Sequence, residues 1–453
     1  MDGARQDTVR FRHDRVQQAA HHCSDPDARL RLQLDLARRL AEHPQLFGMA
    51  AEQYRAAAGL IDDPWERRRV AALLHAAARA SRLLNPAVSL DLLSAGTELL
   101  ATSAGAPDEA LLLDLDIDRH AALCGLGRLA EADELFGDVQ RRCTRPLQLA
   151  GPAGIQINSL SNRNLQAESV ALGLDTLRRL GMELPGEADL PAAIEDGLDA
   201  LQSWAQDADG AAADLARPPV TDPVVLAVGE LLYRTLPATF FSGHPAFAWL
   251  ICQAQRMWAT HGPAQAPVGP VAHAYFPMNR LRGDFRVGYV VARRVIEVGQ
   301  ARGHHREAAQ AELLCVLASA LWFDPVETVV ARTLQTRDTL QRCGEAQGAC
   351  WTYMPSLPLL LDCSAELDTF AAEAEAALAI TIRLASDHMH QGYVPHRQLV
   401  RCLRGETATP GGFGDSAVDE DALFTELAGN PPAAAQAHSP PARSPPTGST
   451  RCP

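Results

Sequence analysis

Helix punctuation recurs along this chain at short intervals, and that pattern restricts it to helices packed on helices. The tightest instance runs from Ala122 to Phe136. A small residue stands where one helix ends, and Gly127 makes the turn. Leu129, Ala132, Leu135 and Phe136 then fall on one side of the next helix. A helix hairpin needs both devices: glycine for the turn, and alanine where two axes come close. Arg282-Gly283-Asp284-Phe285 repeats the device ahead of Tyr289, Val290, Ala292 and Val295. Asp62-Asp63-Pro64 is a helix start, a carboxylate cap followed by proline in the first turn. Behind it Val70, Leu73, Leu74, Ala77 and Ala80 have helical spacing. Asn85-Pro86 opens another helix, with Val88, Leu92, Leu93 and Leu99 on its apolar side. Further helices are expected over about 108–125, 128–142, 146–166 and 167–181. Hairpins repeating every 35–45 residues or so point to an all-α fold, a TPR-like α-solenoid of antiparallel helix hairpins.

Composition supports the same class. The chain has 453 residues, 47% hydrophobic and only 5% aromatic, and it is rich in the best helix formers, Ala and Leu. It contains no lysine; all 41 basic residues are arginines. A P-loop, a protein-kinase core and Schiff-base chemistry each need a lysine. Arginine stays protonated and cannot replace that amine. The net charge of −14 speaks against a nucleic-acid surface. Ten cysteines are scattered from Cys23 to Cys452 without a Cys-x-x-Cys pair, so no zinc or redox motif is read. Cys124 and Cys315 read as small buried hydrophobes. No signal core is present, and no apolar run reaches the roughly 18 residues of a membrane span. Cytoplasmic location, with no membrane insertion, is the expectation.

Five segments are expected. Residues 1–45 end an earlier helical region, and 46–185 form helical repeats. Residues 186–220 form an acidic, partly helical connection. Residues 221–404 form a second repeat set, and 405–453 a mostly disordered, proline-rich tail. In the connection Glu187, Asp189, Glu195, Asp196, Asp199, Asp207, Asp209 and Asp214 face only Arg217. This reads as a solvated, poorly ordered stretch, although Ile194, Leu198 and Leu201 could form a helix within it. Seven prolines stand in 430–453. The helical pattern stops near Leu403 with no polar capping repeat behind it.

No catalytic, cofactor-binding or metal-binding residue is assigned from the sequence, and no cofactor is expected. Asp62, Asp63 and Glu66 have the spacing with which all-helical terpene synthases hold magnesium diphosphate, but Pro64 favours a helix cap. Asp387, His388, His390 and His396 lack a zinc spacing. His304 and His305 follow Arg302-Gly303, as a turn would. His13 and Asp14 point about 100° apart on a helix and cannot act on one another. Trp258, Tyr275, Phe276 and Tyr289 read as core, or as the lining of a ligand groove.

The segment Arg10-Phe11-Arg12-His13-Asp14-Arg15-Val16-Gln17-Gln18-Ala19-Ala20 resembles one in large bacterial signalling ATPases. There it stands near the end of the ATPase region, before a long helical-repeat region. Phe11, His13, Asp14, Arg15, Gln17 and Gln18 carry the likeness. Ala57–Arg67, Gly127–Phe136, Gly173–Pro185 and Arg282–Tyr289 resemble later segments of the family, in the same order. Its best-known members combine serine/threonine kinase, ATPase and sensor histidine kinase parts. This chain has no Walker A loop, kinase core or histidine-kinase phosphoacceptor box.

The resemblance implies a non-catalytic scaffold or sensor module, corresponding to the middle of a longer or split protein. Such a module would bind a partner protein or ligand and relay it to a neighbouring ATPase or kinase domain, with self-association as a further outcome. Gly127, Ala132, Gly283 and Asp284 are its expected repeat-turn residues. One alternative is the regulatory arm of a LuxR-type transcription ATPase. Another is an all-helical magnesium-dependent enzyme using Asp62, Asp63 and Glu66.

Overall fold

The computed structural model of the chain describes residues 25–82, 84–101, 108–384 and 386–428. All regular structure among them is helical, as the sequence pattern implies. The chain divides into two compact units, Met1–Arg179 and Leu180–Pro453. The division falls six residues before the end expected for the first repeat set. It also joins the first described helix to the first unit, rather than setting off residues 1–45.

The first unit holds α1 (Pro26–Ala41), α2 (Phe47–Ala57), α3 (Pro64–Ser81), α4 (Pro86–Ala101), α5 (Glu109–Gly125), α6 (Leu129–Arg142), α7 (Pro146–Asn162) and α8 (Gln166–Arg179). Each helix packs on its neighbours in sequence. Contacts also reach the next helix but one, as in α2 with α4 and α5 with α7. The core between them is largely Leu and Ala: Ala50, Ala51, Leu74, Leu93, Leu115 and Ala132 are buried. Small residues let the axes approach. At Gly96 in α4 a side chain would begin 3.2 Å from Leu115 on α5. The buried face of α3 is rotated slightly from the expected one. Ala71 and Ala78 are inside, while Ala80 is exposed.

Aspartates start many of these helices. Asp63 Oδ2 accepts from the Glu66 N–H at 2.8 Å, and Asp108 Oδ1 from the Leu111 N–H at 3.2 Å. Each satisfies a backbone donor that the first helical turn leaves unpaired. Between α5 and α6, Gly127 has φ +73°. Its N–H donates to Cys124 O, and that of Arg128 to Leu123 O. These bonds close the helix end on a left-handed residue.

The second unit begins with α9 (Leu190–Ala205), α10 (Gly210–Ala216), α11 (Pro223–Phe241), α12 (Ala246–His261), α13 (Val268–Ala272), α14 (Tyr275–Arg282) and α15 (Phe285–Ala301). It continues with α16 (His305–Ala318), α17 (Val326–Arg342), α18 (Ala346–Trp351), α19 (Tyr353–Cys363), α20 (Leu367–Arg383), α21 (Asp387–Leu403) and α22 (Glu420–Ala428).

Two expectations are corrected here. The acidic stretch is not a solvated connection, because α9 packs on α12 and α15, and α10 packs on α15. Leu198 and Leu201 are fully buried. Gly197 lies so close to α12 that an added Cβ would fall 2.6 Å from Cys252 Cβ. The carboxylates are matched by arginines far along the chain. Arg282 pairs with Glu195 and Asp199, and Arg294 with Asp214. Arg217, the one basic residue of the stretch, instead donates to the carbonyls of Trp258, Ala259 and Thr260 at the end of α12.

Residues 405–428 are likewise not a loose tail. Gln398 on α21 donates to Phe413 O at 2.7 Å and to Asp415 at 3.0 Å. Leu423 and Leu427 of α22 are buried. The repeat ending near Leu403 is therefore followed by a covering segment. The remaining part of the expected tail, 429–453, lies outside the described residues.

Finally, α11 is long and apolar enough to cross a membrane by length and composition. Half of that span is buried within the protein, and Glu230 accepts from Arg234 at 2.7 Å on the helix surface. It packs as a core helix of the second unit.

Candidate functional site

The aromatic residues are few, yet nine of the 24 gather on one surface of the second unit between Phe240 and Phe323. Six rings run in a continuous line. Phe241 meets Phe240 at 5.4 Å between centroids, and Phe240 meets Phe276 at 5.1 Å. Tyr275 meets Phe276 at 5.9 Å and Phe285 at 6.2 Å, and Phe285 meets Trp322 at 5.2 Å. The contacts are edge-on or tilted, the arrangement that ring quadrupoles favour. Phe247 packs behind the line, and Tyr289 stacks on Phe323 at 4.7 Å.

Several of these groups are open to solvent: Phe240 by 44%, Phe241 by 53% and Trp322 by 50%. Leu321 and Phe323 are exposed beside them. Single exposed apolar residues are ordinary, but a contiguous patch of large ones marks an interaction surface.

The elements carrying the rings are held firmly. Gly283 closes α14 with φ +66°, and Asp284 Oδ1 caps α15 by accepting from Arg286 N–H and Val287 N–H at 2.9 and 3.0 Å. Gly288 lets α14 rest directly on α15, since a Cβ there would lie 2.4 Å from Tyr275 Cα. The 3₁₀ turn Ala320–Trp322 presents Leu321, Trp322 and Phe323. Asp324 anchors that turn. It accepts from Tyr289 Oη at 2.8 Å and from Arg332. Arg332 Nε also donates to Glu312 at 2.7 Å, and Arg293 donates to the same carboxylate at 3.2 Å. Burial and the Asp324 charge push the Tyr289 phenol up, so it stays a donor. Behind the rings, His273 donates from Nδ1 to Gly269 O at 2.8 Å, and burial pushes its pKa down to about 4. The imidazole is a neutral part of the packing.

Of the four aromatics singled out in the sequence, Tyr275, Phe276 and Tyr289 belong to this surface. Trp258 does not. It is fully buried, and its indole N–H donates to Asp214 at 2.9 Å. Phe240, Phe241, Phe285 and Trp322 went unflagged, because no spacing rule links residues about eighty positions apart. Gly127 and Gly283 lie at turns between consecutive helices, Asp284 caps α15, and Ala132 is fully buried.

The other candidates are dispersed. Asp63 caps α3, and Glu66 is held by the Arg38 guanidinium through two 2.8 Å bonds, which keep its carboxyl below the usual range. His390 Nδ1 lies 2.9 Å from Thr381 Oγ1. Burial pushes His396 down to about 4, and it packs on Phe370. His304 follows the left-handed Gly303, and burial lowers its pKa too. Phe11, His13, Asp14, Arg15, Gln17 and Gln18, and the side chains of Asp387 and His388, lie outside the described residues. Among the described residues no three His, Cys, Asp or Glu groups are placed to hold a metal ion.

One arrangement superficially resembles a thiol–imidazole pair. Cys124 Sγ lies 3.5 Å from His120 Nε2, which also meets Gln156 Oε1 at 2.9 Å. Burial pushes the thiol up and the imidazole down, opposite to what a thiolate nucleophile needs. Burial likewise raises Cys252 to about 12 and Cys350 to about 11.

Compared with protein-family models and with curated proteins, the chain matches none.

Proposed function

We propose that this chain is a non-catalytic, cytoplasmic helical-repeat module, a TPR-like α-solenoid, that binds a partner protein through the aromatic surface of its second unit. The partner is a neighbouring ATPase or kinase domain of the signalling type that the sequence resembles, and occupancy is relayed to that domain by rigid-body change. The carrying observation is the line of six rings from Phe241 to Trp322, exposed at both ends and braced from behind. Rigid aromatic side chains give large contact area at small entropic loss, which is why they dominate binding hot spots. The reading as a magnesium enzyme has less support, because Glu66 is paired with Arg38 and Asp63 serves as a cap.

The test is a titration of the full chain with a P-loop ATPase region of this type from the same genome, followed by calorimetry. Saturable binding is expected, weakened at least about tenfold in a Phe241→Ala/Trp322→Ala variant whose melting transition is unchanged. Absence of binding, or ATP turnover by the chain itself that is lost on mutating one of its own residues, overturns the proposal.

A further inference from the structure

We propose that the second unit carries a small-molecule site, separate from the aromatic surface, for a zwitterionic amino acid with an apolar side chain. The site is a cavity of about 440 Å³, within the roughly 300–1,000 Å³ that small-molecule pockets occupy. One wall is a single face of α12. Gln253, Arg256, Met257, Thr260 and His261 stand at helical spacing, and all of them line the cavity. In a packed bundle a neighbouring helix covers such a stripe; here it faces the cavity. Val224, Val225 and Val228 line it from the first turns of α11, and residues 180–183 form the remaining side.

The lining is divided by chemistry. Val228 and Met257 are buried and make an apolar floor. The Met257 methyl reaches across to α11, where a Cβ on Gly229 would lie 3.2 Å from it. Arg256, Gln253 and Glu183 also line the cavity, and among the described residues their side chains have no hydrogen-bond or ion-pair partner. Arg217, Arg282 and Arg294 of the same unit are each held by carbonyls or carboxylates. Asp222 spends Oδ1 on the N–H groups of Val224 and Val225, at 2.8 and 3.4 Å, which leaves its second oxygen over.

Charge selects the ligand. Arg256 stands on α12, and Glu183 and Asp222 stand on the other walls. A simple carboxylic acid would meet the guanidinium but bring negative charge to two carboxylates. A simple amine would meet the carboxylates but also the guanidinium. An amino acid satisfies both. Its carboxylate takes the Arg256 fork, its ammonium takes Glu183 and Asp222, and its side chain covers the Val228–Met257 floor. That floor rejects a charged side chain, which would lose its water there. Neither the site nor its test depends on the aromatic surface.

The experiment is calorimetric titration of the full chain near neutral pH with L-leucine and L-phenylalanine. Each is compared with its analogue lacking the ammonium (isocaproate, hydrocinnamate) and its analogue lacking the carboxylate (isoamylamine, phenethylamine). At least one of the two amino acids should bind saturably. Each of its truncated forms should bind about tenfold more weakly or worse, since a charge-assisted bond is then missing. Arg256→Gln and Glu183→Gln should each weaken that amino acid by about the same factor. Their melting transitions should be unchanged, because both side chains are exposed. No saturable binding of either amino acid overturns the proposal. So does a truncated form that binds as tightly as its parent, or an Arg256→Gln variant that binds the amino acid undiminished.

Discussion

Asp214 and Arg294, eighty residues apart, form a buried ion pair with Nε 2.8 Å from Oδ2, their side chains 5% and 8% exposed. The same carboxylate oxygen accepts the Trp258 indole N–H at 2.9 Å. Arg294 also stacks over Trp204 at 3.8 Å and donates to the Trp204 carbonyl at 2.9 Å. This cluster ties the acidic stretch into the second unit. Asp214→Ala leaves the buried guanidinium with only the half-exposed Asp207 carboxylate, 3.8 Å away, at a cost of about 3–5 kcal/mol. Asp214→Leu/Arg294→Met should recover part of that loss, because neither charge then remains. Urea denaturation checks both, and a loss for Asp214→Ala below the roughly 1 kcal/mol of a surface pair contradicts the assignment.

The packing of α14 on α15 depends on Gly288. Gly288→Ala places a methyl against Tyr275 backbone and should cost about 1–3 kcal/mol through overpacking. It should also weaken partner binding, since Tyr275 and Phe276 ride on α14. Gly283→Ala is the control. Its site is open and only its φ of +66° is unfavourable, so a loss of about 1 kcal/mol is expected. Equal effects of the two substitutions would show that close approach is not what Gly288 provides.

In the first unit, Ala132 is fully buried one turn after Gly127. Ala132→Leu should cost about 1–3 kcal/mol, because the contact has no space for three more carbons. An unchanged melting transition would remove Ala132 from the helix contact.

Stability should fall in mild acid. His273 and His396 stay neutral in the folded chain down to about pH 4, whereas unfolded histidine takes up a proton near 6.5. Their stabilising contribution is complete above about pH 6.5 and is lost as the pH falls towards 4. The loss is about 2 kcal/mol per ring by pH 5. Urea midpoints at pH 7.5 and 5.0 measure it, and His273→Gln should flatten the difference. A midpoint that moves as far in His273→Gln as in the parent would exclude this ring as a source.

Much of the fold was legible in the sequence because its signals are local. The caps at Asp63 and Asp284 and the turns at Gly127 and Gly283 satisfy backbone groups within three or four residues, so spacing alone reveals them. Helical periodicity identified the all-α class and several buried positions, such as Leu74, Leu93 and Phe136. The acidic stretch was misread for the opposite reason. Its carboxylates have few local counter-charges, and Arg282 and Arg294 reach them only once the helices have packed. The aromatic surface is of the same kind. Tyr275 and Phe276 are adjacent in sequence, but Phe241 and Trp322 join them only through contacts across three helices and a 3₁₀ turn. The sequence by itself determined where helices begin, end and turn, since those choices are made by neighbouring backbone groups. Tertiary structure alone decided which charges pair and which rings share a surface, since those energies depend on distances in space that chain separation does not encode.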